Sequence, residues 1–330
     1  MILSIFKKSQ PVSSIIIPLI ATTFWVLGWV SNKGLVVVNP MPLYHLTLWI
    51  ISPLPIWFAG ILGLALVFWQ IFYFNKLTEK HEIHYRNSYL PALFFLLLCI
   101  LIPSFTSFNP VLIINIILLH SIDKIFRIYK HPSPYSLIFD ACFLIAIASL
   151  FYLPAIVFVV FFILSLSLLR PTNVKDWIVA LSGFIIPYIL VTVWYFITGT
   201  LDELWAKFIY TPWSNLWVLE KISFNGSFFT AILILFLMII SLLRLQNNFF
   251  KNVIRIRRFH QVLLIFLITG IGTIFLTNSK DPYRFSILII PIATLISYYF
   301  LTINKPWWSE FLFWALTIVI LFNFISPIIL

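Results

Sequence analysis

Asn278-Ser-Lys-Asp-Pro-Tyr-Arg-Phe-Ser-Ile-Leu-Ile-Ile-Pro291 is a short polar break between two apolar runs, one ending near Thr277 and the next opening near Phe285. In a chain that is 62% hydrophobic and 9% charged, this alternation decides the fold. Apolar runs of about 17–25 residues are the length at which a helix crosses lipid while satisfying its own backbone hydrogen bonds. Mean hydropathy is +1.06, which places the whole chain in that class. The fold expected is all-α, a polytopic transmembrane helix bundle forming one integral membrane domain over 1–330. Trp and Tyr recur near run ends, as an interfacial belt requires.

Working outward, about eleven spans (nine to twelve) fit the hydropathy. They fall near 12–30, 53–74, 89–104, 109–122, 136–149, 152–169, 176–198, 226–243, 260–277, 285–303 and 308–328. The fourth and fifth are short for a bilayer, which implies tilt, a break or shielding by neighbours. Lys7 and Lys8 precede the first span, which reads as a retained anchor. Lys33, Lys207, Lys221, Lys280 and Arg284 fall on one side, and the other 16 of the 21 Lys and Arg residues fall on the opposite side. This bias predicts a cytoplasmic N-terminus, a periplasmic C-terminus and residence in the inner membrane. It also explains the formal charge of +11 by lipid headgroups, with no nucleic acid as partner.

The inner loops read as solvated. Asn75 to Asn87 holds His81 and His84 without a third ligand for a metal. Lys251 to Arg258 suits an interfacial helix on anionic headgroups. Cys99 and Cys142 lie in apolar runs and read as small buried hydrophobes. Asp140, His120 and Glu310 sit near inner span ends, where Asp140 pairs with Lys124 or Arg127, or couples a proton or ion.

The outer loops, 31–52 and 199–225, are chemically mixed. In the first, Asn39-Pro40 predicts the start of an interfacial helix beside His45. In the second, Thr200-Leu-Asp-Glu203 reads as a capping box with Asp202 and Glu203 at a helix N-terminus. Tyr210, Trp213 and Trp217 follow, either as sugar-stacking rings or as interfacial anchors. No P-loop, GxSxG, HExxH or CxxC pattern and no internal repeat occurs. No cofactor is indicated, and a divalent metal has no ligand set to support it.

The opening Ile5-Phe-Lys-Lys-Ser9, followed at once by a span, resembles a family of multi-spanning inner-membrane proteins from the Bacteroidetes lineage. At fold level the chain is similar to the GT-C membrane glycosyltransferases. Three features carry that second likeness: Pro42-Leu-Tyr-His-Leu-Thr opening a helix in the first outer loop, short spans with basic inner turns between Ile114 and Gly199, and Tyr283-Arg-Phe-Ser-Ile-Leu-Ile-Ile-Pro291. The resemblance implies a polyprenyl-phosphate-linked sugar whose phosphate is held by Arg284, with Lys280 and Tyr283 beside it. A guanidinium at the membrane boundary suits that contact, because its fork of donors matches a pair of phosphate oxygens. The pattern departs at one place: such enzymes carry an acid in the first outer loop, and none occurs between Ser31 and Ser52. His45, or an acid from Asp202, Glu203 or Asp281, then serves as base. Otherwise the chain keeps the fold without the reaction and acts as a scaffold for other membrane proteins in envelope assembly; a transporter or lipid flippase is the third reading.

Overall fold

The computed structural model describes residues 3–7, 11–31, 41–84, 87–101, 103–209, 226–276, 282–303 and 305–329. Its α-helices are α1 (Leu3–Lys7), α2 (Pro11–Ser31), α3 (Pro42–Ile51), α4 (Ile56–Lys80), α5 (Leu90–Cys99), α6 (Pro110–Ile128) and α7 (Tyr135–Phe151). They continue with α8 (Phe158–Leu169), α9 (Val174–Ile197), α10 (Leu201–Ile209), α11 (Gly226–Asn248), α12 (Ile254–Phe275), α13 (Ile289–Thr302) and α14 (Pro306–Ile329). Six stretches, in α4, α9, α11 with the turn that follows it, α12, α13 with its leading turn, and α14, are long and apolar enough to cross a membrane. Among the described residues there is no β-strand.

Local chemistry sets the ends. Pro42 takes the first position of α3, where its missing N–H costs nothing. The helix therefore begins two residues beyond the expected pair, with Met41 as its cap. Asn109 caps α6, its side-chain oxygen accepting from the Leu112 amide at 3.0 Å. The Asp176 carboxylate reaches back to the amide of Asn173 at 3.0 Å and starts α9. Gly199, with φ of 69°, closes α9 in the left-handed region that a side chain resists. At α10, by contrast, the Thr200 hydroxyl is shared with Thr198 at 2.8 Å.

The bundle is organised around α5 and α13. Every residue of α5 is buried, as is every residue of α13 from Ile289 to Phe300. α4, α11 and α12 pack around this pair, α6 packs on α4, on α7 and on the turn that leads into α13, and α9 leans on α7. Ten residues of helix span only about 15 Å, half of a bilayer's hydrocarbon. α5 can be that short because protein surrounds it. The short segments expected further along are longer than anticipated: α6 runs on to Ile128 and α7 to Phe151.

The core is mainly apolar, and large apolar side chains also cover the outside of the bundle. Ile178, Leu181, Ile189 and Trp194 of α9 and Trp49, Trp57 and Ile61 of α3–α4 are exposed. Gln70, Asn75, Asn115, Asp123, His81, His84 and His260 are buried. Outward apolar and inward polar side chains suit a lipid solvent.

Helix ends gather at two poles. Lys80 of α4 meets Asp123 of α6, Arg244 of α11 donates to the Thr302 carbonyl of α13, and Arg258 of α12 donates to the Leu168 carbonyl of α8. These define the basic pole. At the opposite pole, Trp25 Nε1 donates to the Gly60 carbonyl and Asn323 Nδ2 to that of Leu101, while Tyr44 stacks on Phe108.

Two inner-loop expectations change. Asn75 to Lys80 is the end of α4, and His81 and His84 are buried, so this segment is not a solvated loop. Its side chains find partners on α6 and α13, which hydropathy along one segment does not register. The basic run is not a separate interfacial helix either: Phe249–Lys251 is a 3-10 turn and α12 starts at Ile254. Arg255 pairs with Glu82, Arg257 lies 5.8 Å from the Phe249 ring centre, and Arg258 reaches Leu168. The run is thus a clamp between elements. Cys99 and Cys142 are buried and free, as expected.

Candidate functional site

The pole opposite the basic one carries the described residues of the expected site. A groove of about 490 Å³ runs between α3 and α9, lined by Pro42, Leu43, His45, Leu46, Trp49, Leu190, Val191, Trp194 and Tyr195. The α3 side exists because Pro42 starts a helix whose successive turns place His45, Leu46 and Trp49 on an exposed face. The α9 side was not singled out from sequence, because Trp194 and Tyr195 lie inside an apolar run and look like span residues. The signal was an aromatic pair near the outer end of a span, facing a loop that starts a helix.

Beneath the groove sits Tyr44, 1% exposed and stacked on Phe108 at 6.4 Å. Burial, and after it the adjoining Tyr283, pushes the Tyr44 phenol up, so it stays neutral. Tyr283 is itself 2% exposed, which places it in the core beneath the surface instead of at a headgroup. It belongs to a 3-10 turn, Pro282–Leu288, that leads into α13. Asn115 of α6 fixes this turn by donating through Nδ2 to the Ser286 carbonyl at 3.1 Å. Arg284 is half-buried on the same turn, its guanidinium carbon 5.2 Å from the Phe285 ring centre. Tyr283 lies near enough to Tyr44 to act on it electrostatically, and it belongs to the turn that carries Arg284.

Asp202 and Glu203 are placed differently. Both are exposed on α10, and neither forms an ion pair with another described residue. α10 is tied to the groove indirectly, through Lys207 Nζ donating to Tyr195 Oη at 3.3 Å. Lys280, Tyr210, Trp213, Trp217 and Asp281 lie outside the described residues. The groove lining contains no acid.

The basic pole holds a second polar cluster that sequence reading passed over. Asp123, only 6% exposed in its side chain, accepts from Lys80 at 2.8 Å, meets His81 Nε2 at 2.7 Å and pairs with Arg127 at 2.7 Å. Burial alone would push this carboxyl up. The bonds from His81 and Lys80, with the charges of Lys80 and Arg127, outweigh it and hold Asp123 well below the usual carboxylate range. Every contact joins α6 to the end of α4 or to its own next turn, so the cluster is a staple. Asp140 pairs with Lys124 at 2.6 Å, the simpler of the two readings. His120 stacks on Tyr73 at 4.2 Å, and Glu310 accepts the Leu3 amide at 3.2 Å.

Among the described residues no group of three or more His, Cys, Asp or Glu is placed to hold a metal. No family model, curated protein or solved structure matches the chain.

Proposed function

We propose that this chain is an inner-membrane protein crossing the bilayer eleven times, with its N-terminus and basic pole in the cytoplasm and its C-terminus in the periplasm. At the periplasmic pole it binds a polyprenyl-phosphate-linked sugar. Two observations support this: the apolar groove between α3 and α9, and a half-buried guanidinium on the turn that leads into α13. A long apolar chain suits Leu43, Leu46, Trp49, Leu190 and Val191, and a phosphate suits Arg284. Tyr283 supports the turn carrying that arginine, and Lys280 adds charge nearby in sequence. In the enzymatic form of the proposal, a glycosyltransferase, His45 takes the acceptor's proton at the groove's edge.

The second reading, a binding scaffold for envelope-assembly partners without transfer chemistry, is favoured by one observation: the groove is lined without an acid, and Asp202 and Glu203 stand exposed on another helix.

Arg284→Ala decides between binding and none. Removing one charge-assisted phosphate contact should weaken retention of a polyprenyl-phosphate photoprobe by about 10–100-fold, at unchanged protein abundance. Equal labelling of variant and wild type would sink the phosphate assignment. If His45→Ala abolishes glycan modification while labelling persists, the protein is an enzyme; an unaltered glycan profile together with a co-purifying partner identifies the scaffold.

A further inference from the structure

Two histidines at the basic pole take no part in the Asp123 staple. His84 lies in the turn after α4 and His260 in the second turn of α12. Both are buried, with ring centres 6.4 and 5.1 Å from that of Tyr298 on α13. Their hydrogen bonds determine which nitrogen carries the proton. Ser297 Oγ gives its only proton to the Thr294 carbonyl at 2.9 Å. Its 3.0 Å contact with His84 Nε2 therefore requires that nitrogen to be the donor. His260 Nδ1 faces the Ile256 carbonyl at 2.9 Å, which only an N–H can satisfy. The remaining nitrogens, His84 Nδ1 and His260 Nε2, are bare acceptors, buried and without a partner among the described residues.

A stranded acceptor is unfavourable, and two beside one tyrosine ring ask for a shared donor. Protonation does not provide it. Burial, and after it the neighbouring His260, pushes His84 down to about 3. A metal cation fits poorly, because the nearby carboxylates are already engaged: Glu82 with Arg255, and Asp123 with Lys80, His81 and Arg127. Arg257 and Arg258 add further positive charge on α12. A neutral molecule with two hydrogens meets both demands. Ser88, four residues beyond His84, has a buried hydroxyl that also lacks a partner among the described residues.

We propose that one buried water molecule lies between His84 Nδ1 and His260 Nε2, donates a hydrogen bond to each, and seals the turn after α4 against α12 beside Tyr298. The seal is a hydrated joint in an otherwise apolar packing, and removing either imidazole releases the water.

A double-mutant cycle on the full chain in lipid nanodiscs tests this. Each of His84→Phe and His260→Phe should lower the unfolding temperature by a few degrees. The double variant should lower it little further than the worse single one, because the water is lost only once. Additive losses, or no loss in either single variant, overturn the proposal. If a variant fails to accumulate, a wild-type density map that resolves ordered water decides: a peak within hydrogen-bond distance of both nitrogens supports the water, and a dry contact rejects it.

Discussion

A methyl group on Gly183 would lie 2.6 Å from the backbone oxygen of Phe139, closer than any carbon tolerates. α9 meets α7 at that point, and only a residue without a side chain lets the two backbones approach so far. Gly183→Ala should therefore cost about 1–3 kcal/mol through overpacking and lower the unfolding temperature. An unchanged temperature would show that α9 can move off α7 freely. At this scale the sequence was a partial guide. The roles of Cys99, Cys142 and Asp140 were legible, because burial of a thiol and pairing of an acid with a cation across a short turn depend on nearby chain. Asp123 was not, because two of its partners, Lys80 and His81, are brought to it by a different helix. Gly183 likewise says nothing until the second helix is present.

Among the elements, the turn after α4 differs most from what its composition suggests. A stretch rich in Lys, Glu and His looks solvated, yet His81 and His84 are interior. Acid should expose this. His84 is held near 3 in the fold against about 6.5 in an unfolded chain. Between those values the unfolded chain binds the extra proton, so the stability contributed by neutral His84 is present above about pH 6.5 and declines as the pH falls toward 3. Thermal unfolding from pH 7.5 to 5 should show a falling midpoint in wild type and a flatter profile in His84→Phe. Equal slopes would remove His84 as the cause. α5 makes the complementary point. Its apolar run predicted a helix, and its ten residues suffice only because protein encloses them.

For the whole molecule, orientation is the decisive property. Lys130 stands at the basic pole and Glu203 at the opposite one, with α7, α8 and α9 between them. With the native cysteines buried, Glu203→Cys should react with an impermeant maleimide on spheroplasts, and Lys130→Cys only after the membrane is opened. The reverse pattern would invert the topology. Labelling of both from one side would mean that one of the three helices does not cross.

Composition and hydropathy by themselves determined that the chain is helical and built for lipid, and roughly where each apolar run begins. Those properties follow from backbone hydrogen bonding in a medium without water, which each segment must satisfy alone. Arg284 and His45 were also legible, as polar residues at segment ends. Tertiary structure alone decided that α3 and α9 face each other across a groove, that Asn115 of α6 fixes the turn bearing Arg284, and that Asp202 and Glu203 sit on a separate helix. Those are relations between segments far apart in sequence, and no local pattern of hydropathy or charge contains the distance between them.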